Sequence, residues 1–324
     1  MSRGYARLRG IVAGLLGLLL IAAIPTAVAT PQVAAPATPQ VEDGFSFAAG
    51  GDLIGPNQAL DLRQKPDPAL KAVAKHFRQA DMGFANVEGS LFNLSTFKGW
   101  PAAETGGGYP LGPAVVAKNL RSLGITMVSK ANNHGTDFGT LGLVATLRSL
   151  KAAGIVEGGA GMNLAQARAP AYLQTPKGKV ALVDTASTFT PMSVAGSPDP
   201  GRFGRYAHGR PGISVIHVRK VHLLPLAQFD KLRSLVGGIG EVSRRQAWSG
   251  EPPGVPAAHG SDLVVGNTVF RGALKRGLTW EMNSKDVKAV ISSIKQARRH
   301  ANFVLFSIHS HEITPYPNSP AYST

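Results

Sequence analysis

The 324-residue sequence contains no cysteine. This excludes disulfides, thiolate zinc sites, a cysteine nucleophile and a lipoprotein attachment residue. Any metal must be held by Asp, Glu, Asn, His or backbone oxygen, and without disulfides stability rests on packing or metal alone. Acid is also scarce: 19 Asp and Glu stand against 34 Lys and Arg, a formal charge of +15. Arg3, Arg7 and Arg9 lie in an N-terminal stretch without acid, which leaves +12 on the remainder. Such an excess is either that of a generic basic protein or an attraction to a polyanion: an acidic polymer, anionic lipid or nucleic acid. Zinc-finger and basic-helix signatures are missing, so no nucleic acid is expected as a partner. Internal repeats are missing too. With 44% hydrophobic and 16% charged residues the chain is too apolar for disorder. It is long enough for one large or two small domains.

There is one long apolar run, Ile11–Ile24, after a basic start and before Ala27-Val28-Ala29. It is shorter than the ~20 residues of a membrane helix, and the A-x-A pattern fits a cleaved signal peptide over residues 1–29. The expectation is an exported protein, periplasmic or extracellular, membrane-associated if that segment stays uncleaved. Residues 30–43 are rich in Pro, Ala and Gln and read as an extended linker.

From Gly44 onward, apolar runs of strand length alternate with helix-period segments. Strands are expected at Phe45–Gly50 (buried), Met82–Val87, Ile125–Ser129, Val180–Val183 and Phe303–Ile308. Helices are expected at Pro68–Ala80, with Asp67 as N-cap, and at Ala114–Leu123, stopped by Gly124. Further helices fall at Leu141–Ala153, stopped by Gly154, and at Lys285–Arg299. The alternation predicts an α/β fold with a largely parallel sheet covered by helices on both faces, its ligands at the carboxyl ends of the strands. Pro191–Asn283, rich in Gly, Pro and Arg, reads as an inserted region of loops and short strands, with a helix over Val221–Val236.

Four strand ends carry polar signatures: Gly50-Gly51-Asp52, Asn86-Val87-Glu88-Gly89, Asn132-Asn133-His134 and His309-Ser310-His311-Glu312. Asp, Glu, Asn and His suit Mn, Zn, Mg or Fe without thiolate. His309 and His311 would share a face through strand alternation. Each signature has a plainer reading alone: a turn cap at Asp52, a surface turn at Glu88, a loop-stabilising Asn133, a packed His309 beside a solvated His311. Four such loops after four apolar strands together point to a metal site.

At these residues the sequence resembles the CapA family of poly-γ-glutamate capsule synthesis proteins. The resemblance is carried by Gly51-Asp52-Leu53-Ile54-Gly55, by Ala85-Asn86-Val87-Glu88-Gly89-Ser90, and by Ala131-Asn132-Asn133-His134-Gly135-Thr136-Asp137-Phe138-Gly139. The stretch Gly159 to Pro170 and Ser307-Ile308-His309 add to it, and Pro191–Asn283 carries least. The resemblance implies a metallophosphatase-like layered α/β fold, its largely parallel or mixed central sheet flanked by helices, with two divalent metal ions at strand ends. It further implies Asp52, Glu88, Asn133, His309 and, less closely, His311 as metal ligands, Glu88 as a candidate bridge, and His134 as general acid or transition-state stabiliser. Implied partners are an anionic polymer such as poly-γ-glutamate and the envelope or capsule-synthesis machinery.

The family's Gly-His-x-Pro-His motif does not occur, so the domain from 44 to 324 is expected to be a piece of a longer protein. Two functions compete. One is a metal-dependent hydrolase or transferase acting on an anionic polymer, a phosphoester or a γ-glutamyl amide bond. The other is a non-catalytic polyanion-binding export factor. Lys130, Arg202, Arg205 and Arg210 are candidates to hold an anionic substrate, against the plainer reading of a solvated loop.

Overall fold

A computed structural model describes residues 40–54, 67–102, 109–198, 208–237, 260–266 and 268–312. The expected signal segment 1–29, most of the 30–43 linker, Arg202 and Arg205 lie outside the described residues. In chain order the main elements are β1 (Phe47–Ile54), α1 (Pro68–Gln79), β2 (Met82–Glu88), α2 (Val115–Leu123), β3 (Met127–Ser129), α3 (Gly139–Ala152) and β4 (Val156–Gly158). They continue with α4 (Leu164–Arg168), β5 (Ala171–Thr175), β6 (Gly178–Ala186), β7 (Val218–Pro225) and α5 (Leu226–Gly237). The last are β8 (Leu263–Val265), β9 (Thr268–Ala273), β10 (Gly277–Met282), α6 (Ser284–His300) and β11 (Phe303–His309).

Local chemistry sets the helix ends. The Asp67 side chain accepts from the Ala69 N–H at the start of α1, with Pro68 in the first turn where its missing N–H costs nothing. Gly124 closes α2 in the left-handed conformation at φ 101°. Asn283 caps α6 by accepting from the backbone N–H groups of Lys285 and Asp286.

The central layer is two sheets face to face. The first is all parallel, in the order β1-β2-β3-β4. The second has the order β11-β6-β5, its first pair parallel and its second antiparallel. Strand alternation makes this sandwich. Met82 and Phe84 of β2 meet Val180 and Leu182 of β6, with Phe303 and Leu305 of β11 packed against them. The intervening residues point outward. Ala85 and Val87 pack against Ala74 of α1, Leu120 of α2 and Leu150 of α3. Ala181 and Val183 pack against Val290 and Ala297 of α6. Apolar residues on both faces of β2 and β6 are what a buried strand in such a layered fold requires.

Three expectations are corrected. The first strand is not buried: among the described residues β1 is an edge strand with one neighbour and a half-exposed face, and it runs on to Ile54. The proposed helix over Val221–Val236 is a strand as far as Pro225 and a helix only from Leu226. Val221 to Leu223 are held between β9 and β10, and Pro225 marks the boundary. Within 191–283 the described residues form more than loops and short strands. They build a third sheet, β8-β9-β7-β10, in which Arg271 grips Asp262 with two hydrogen bonds of 2.7 and 2.8 Å and Glu281 at 2.7 Å.

Candidate metal site

The alternation that builds the sandwich also aims the polar residues. Asn86 and Glu88 continue the inward face of Met82 and Phe84 along β2. Ser307 and His309 continue the inward face of Phe303 and Leu305 along β11, and Asp184 that of Val180 and Leu182 along β6. Apolar residues fill the inter-sheet space, and polar ones occupy its carboxyl end. Asp52 joins them through a bulge. Ala49 pairs with Phe84 but Asp52 pairs with Asn86, so β1 has one residue more than β2 over this interval. Gly50-Gly51 takes up that extra residue and turns Asp52 to the site face.

Asn86 is the hub. Its Nδ2 donates to Asp52 Oδ1 at 2.8 Å and lies 3.3 Å from His309 Nδ1. Its Oδ1 accepts from Ser129 Oγ at 3.1 Å and from Asn132 Nδ2 at 2.9 Å. Glu88 is buried, with Oε1 3.7 Å from His309 Nε2 and 3.8 Å from His134 Nε2. Both distances are too long for hydrogen bonds. Glu88, His309 and His311 each place one ligand-type atom within 4.8 Å of the others. Burial, and then the Asp52 charge, push the Glu88 carboxyl above its ordinary range. Burial pushes His309 down, toward the neutral imidazole that binds metals.

His134 Nδ1 sits 2.7 Å from Asp137 Oδ2, which leaves Nε2 on the Glu88 side. The loop carrying it is pinned from below by Asp184, whose Oδ2 accepts from the backbone N–H of Lys130 at 3.0 Å and of Ala131 at 2.9 Å. Burial raises the Asp184 carboxyl to about 7 against these hydrogen bonds. Gly159 is required beneath it, because a Cβ there would lie 2.1 Å from Asp184 Oδ2 and the backbone has φ +82°. On the other side Glu312 accepts from Ser187 Oγ at 2.6 Å and Thr188 Oγ1 at 3.1 Å, and so fastens the turn after β11.

Of the six residues read from the sequence, the structure brings Asp52, Glu88, His134, His309 and His311 to one strand-end cluster. Asn133 lies beside His134 in the chain, with its Oδ1 buried and without a hydrogen-bond partner. His311 meets His309 at 4.8 Å between ring centroids, but through the turn, because β11 ends at His309. Lys130 fits neither reading, the substrate-holding cation or the solvated loop. It is fully buried, its Nζ donates to the Val87 carbonyl at 3.2 Å, and burial draws its pKa down to about 8 against Asp137, Asp184 and Glu88. Arg210 is committed to the Val194 carbonyl at 2.5 Å.

Asn86, Asp137, Asp184 and Glu312 were missed as site residues. Asn86 lies two before Glu88 on the same strand face, and Asp137 three after His134. Asp184 had a signal too, an acid at the end of the apolar run Val180–Val183.

The orphaned atoms of the donor set fit a metal. Glu88 Oε2, Asn132 Oδ1, Asn133 Oδ1 and His309 Nε2 are buried without hydrogen-bond partners. Buried polar atoms are rarely left bare. An oxygen and nitrogen donor set of this kind fits a divalent cation.

The family described as bacterial capsule synthesis protein PGA_cap matches residues 46–321. It has the metallophosphatase-like fold, and the layered α/β architecture agrees with it. Two Sinorhizobium fredii proteins, uncharacterized protein y4sH and uncharacterized protein y4uA, are each 29% identical over 281 residues, 87% of this chain and 57% of their own length. The capsule biosynthesis protein CapA of Bacillus anthracis is 25% identical over 193 residues, 59% of this chain and 46% of its own. The chain thus spans about half the length of the curated relatives it matches.

Proposed function

The chain belongs to the PGA_cap family of bacterial capsule synthesis proteins, which supports a capsule-related role, and from that premise we propose that it is an exported metal-dependent hydrolase or transferase acting on an anionic envelope polymer or phosphoester. One observation carries the metal part of this reading: buried Glu88 Oε2 and His309 Nε2, without partners, in a cluster of ligand-type atoms within 4.8 Å. Asp52, Glu88, Asn133, His309 and His311 would hold divalent cations, two by resemblance to the family. Bound there, such cations supply Lewis acidity that polarises a phosphoryl or acyl oxygen.

The chain's own residues do the rest. Asp137 accepts from Nδ1–H of His134 and fixes the ring, so that Nε2 faces the site. With both ring nitrogens protonated, His134 hands the Nε2 proton to a leaving oxygen or nitrogen. Asn86 and Asn132 tie β1, β2 and the 130–134 loop together by hydrogen bonds and hold the donors in place. The excess of basic charge favours polymer binding with or without catalysis, and an export factor that only binds is the second reading.

Elemental mass spectrometry of purified protein tests this, beside Glu88→Gln, His309→Ala and His134→Ala. Stoichiometric transition metal is expected in the parent and in His134→Ala, and not in the other two. Turnover of a phosphoester or γ-glutamyl substrate should fall by about 10²- to 10⁴-fold in His134→Ala. A folded parent that takes up no metal would sink the enzymatic reading.

A further inference from the structure

Helix α6 is a basic helix, contrary to the sequence reading that found no such signature, and it is charged in a way its own folding does not require. Its inward face is Val287, Val290, Ile294 and Ala297, packed on β6 and β11. At roughly 100° per residue, Lys285, Lys288, Lys295 and Arg299 fall within an arc of about 80° on the opposite side. All four are exposed, and among the described residues none is in an ion pair. The helix's one acid, Asp286, is turned inward to His217 and Arg168. Lys285 and Lys288 stand in and beside the first turn, where the helix dipole favours acid, so they add nothing to helix stability. From Lys285 to Arg299 is 14 residue steps, about 21 Å along the axis at ~1.5 Å per residue.

The stripe also leads toward the strand-end cluster. Val287 and Ile291, in the N-terminal half of α6, line an apolar groove with Phe306 and Ile308 of β11. Ile308 directly precedes His309. The Lys285 end of the stripe is therefore the end nearer the site, and a bound chain could extend from the helix to it.

We infer that the Lys285–Lys288–Lys295–Arg299 face of α6 is a docking track for a linear polycarboxylate. This rests on the reading that the protein handles an anionic capsule-type polymer, and names the surface that holds it. Three separate ammonium charges and one guanidinium, strung out along the helix rather than paired, suit a flexible polyacid bound by charge and counterion release better than the clustered arginine forks of phosphate recognition.

The test is fluorescence anisotropy with labelled poly-γ-glutamate at rising salt. It compares the parent, a variant with all four residues changed to Gln, and a control with Lys71, Lys75, Lys118 and Arg121 changed to Gln. The control removes the same three lysines and one arginine from exposed positions on α1 and α2. Gln keeps helix propensity, and circular dichroism verifies the fold. The expected result is salt-sensitive binding by the parent, about tenfold weaker and less salt-dependent in the α6 variant, and changed less than about threefold in the control. Equal losses in both variants would make the effect one of net charge and overturn the track while leaving polymer binding intact. No binding by the parent would overturn both. Stripe-dependent capture by phosphatidylglycerol vesicles without polymer binding would assign the face to a membrane instead, and overturn it too.

Discussion

Among the described residues, two buried clusters pair histidine with carboxylate, and they differ in how far their polar atoms are used. In the first, Asp286 at the start of α6 is saturated. Its Oδ1 takes Arg168 Nη2 at 2.5 Å, and its Oδ2 takes His217 Nδ1 at 2.6 Å and the His217 N–H at 3.1 Å. Only Arg168 Nε is left bare there. In the second, Glu88 has two imidazoles at 3.7 and 3.8 Å and no partner at all for Oε2. Burial raises both carboxyls. For Asp286 the hydrogen bonds of His217 and Arg168 outweigh burial and the pKa ends below its ordinary value, whereas for Glu88 the Asp52 charge adds to burial. A saturated cluster is a joint, and a bare one at a strand end is a place for a ligand.

The largest effect expected from this contrast separates stability from metal. Asp286→Ala leaves Arg168 and His217 buried without their acid and should cost ~3–5 kcal/mol in urea unfolding, with metal content unchanged. Glu88→Gln should lose the metal, yet leave metal-free stability unchanged or about 1 kcal/mol higher, because it neutralises an acid that burial disfavours. If Asp286→Ala loses metal, or Glu88→Gln is as unstable as Asp286→Ala, the distinction between joint and site collapses.

Which elements exist was legible from local pattern, and where they sit was not. Asp67, Gly124 and the apolar periods of α1, α2, α3 and α6 act within a few residues, and the helices follow them closely. That β1 is an edge strand depends on sheet order, which no window of sequence contains. The same holds for the division of the central layer into two sheets, since Val180 to Val183 is apolar on both faces in either arrangement. Val221–Pro225 reads as the start of a helix because Val221, Leu223 and Leu224 run into the apolar positions of the following segment without a decisive period, and pairing with β9 and β10 makes it strand instead. Asp52 could be read as a candidate, but the bulge that turns it inward could not. Lys130 looked like a surface cation because a lysine is rarely fully buried, and only the Val87 carbonyl and nearby acids explain it.

Acid should sharpen the contrast with opposite signs in metal-stripped protein. The folded Asp286 pKa is depressed, so its contribution is fully present above the unfolded value of about 4 and is lost as pH falls through the folded value. The stability gap between parent and Asp286→Asn should therefore shrink below about pH 4. The folded Glu88 pKa is raised, so the native state binds the extra proton and loses stability as pH rises from about 4.3 through the folded value. The advantage of Glu88→Gln should grow over that rise. Urea midpoints from pH 2.5 to 7 would read both, and slopes of the same sign would contradict the assignment of partners.

The smallest expected effect tests whether the joint is one unit. Asn283 accepts from Lys285 N at 2.8 Å and Asp286 N at 3.2 Å, while its own backbone N–H donates to the His217 carbonyl at 2.8 Å. The side chain thus holds the turn that aims Asp286, and the backbone ties that turn to His217. Asn283→Ala should cost about 1 kcal/mol as a lost N-cap, with metal content untouched. If the cap also aims Asp286, the double variant with Asp286→Ala should lose less than the sum of the singles by about 0.5 kcal/mol or more, since the aim is worthless once the carboxylate is gone. Strict additivity would make Asn283 a cap and nothing else. A change in metal content would mean that strain at the start of α6 reaches His309 through β11, so that joint and site are mechanically coupled.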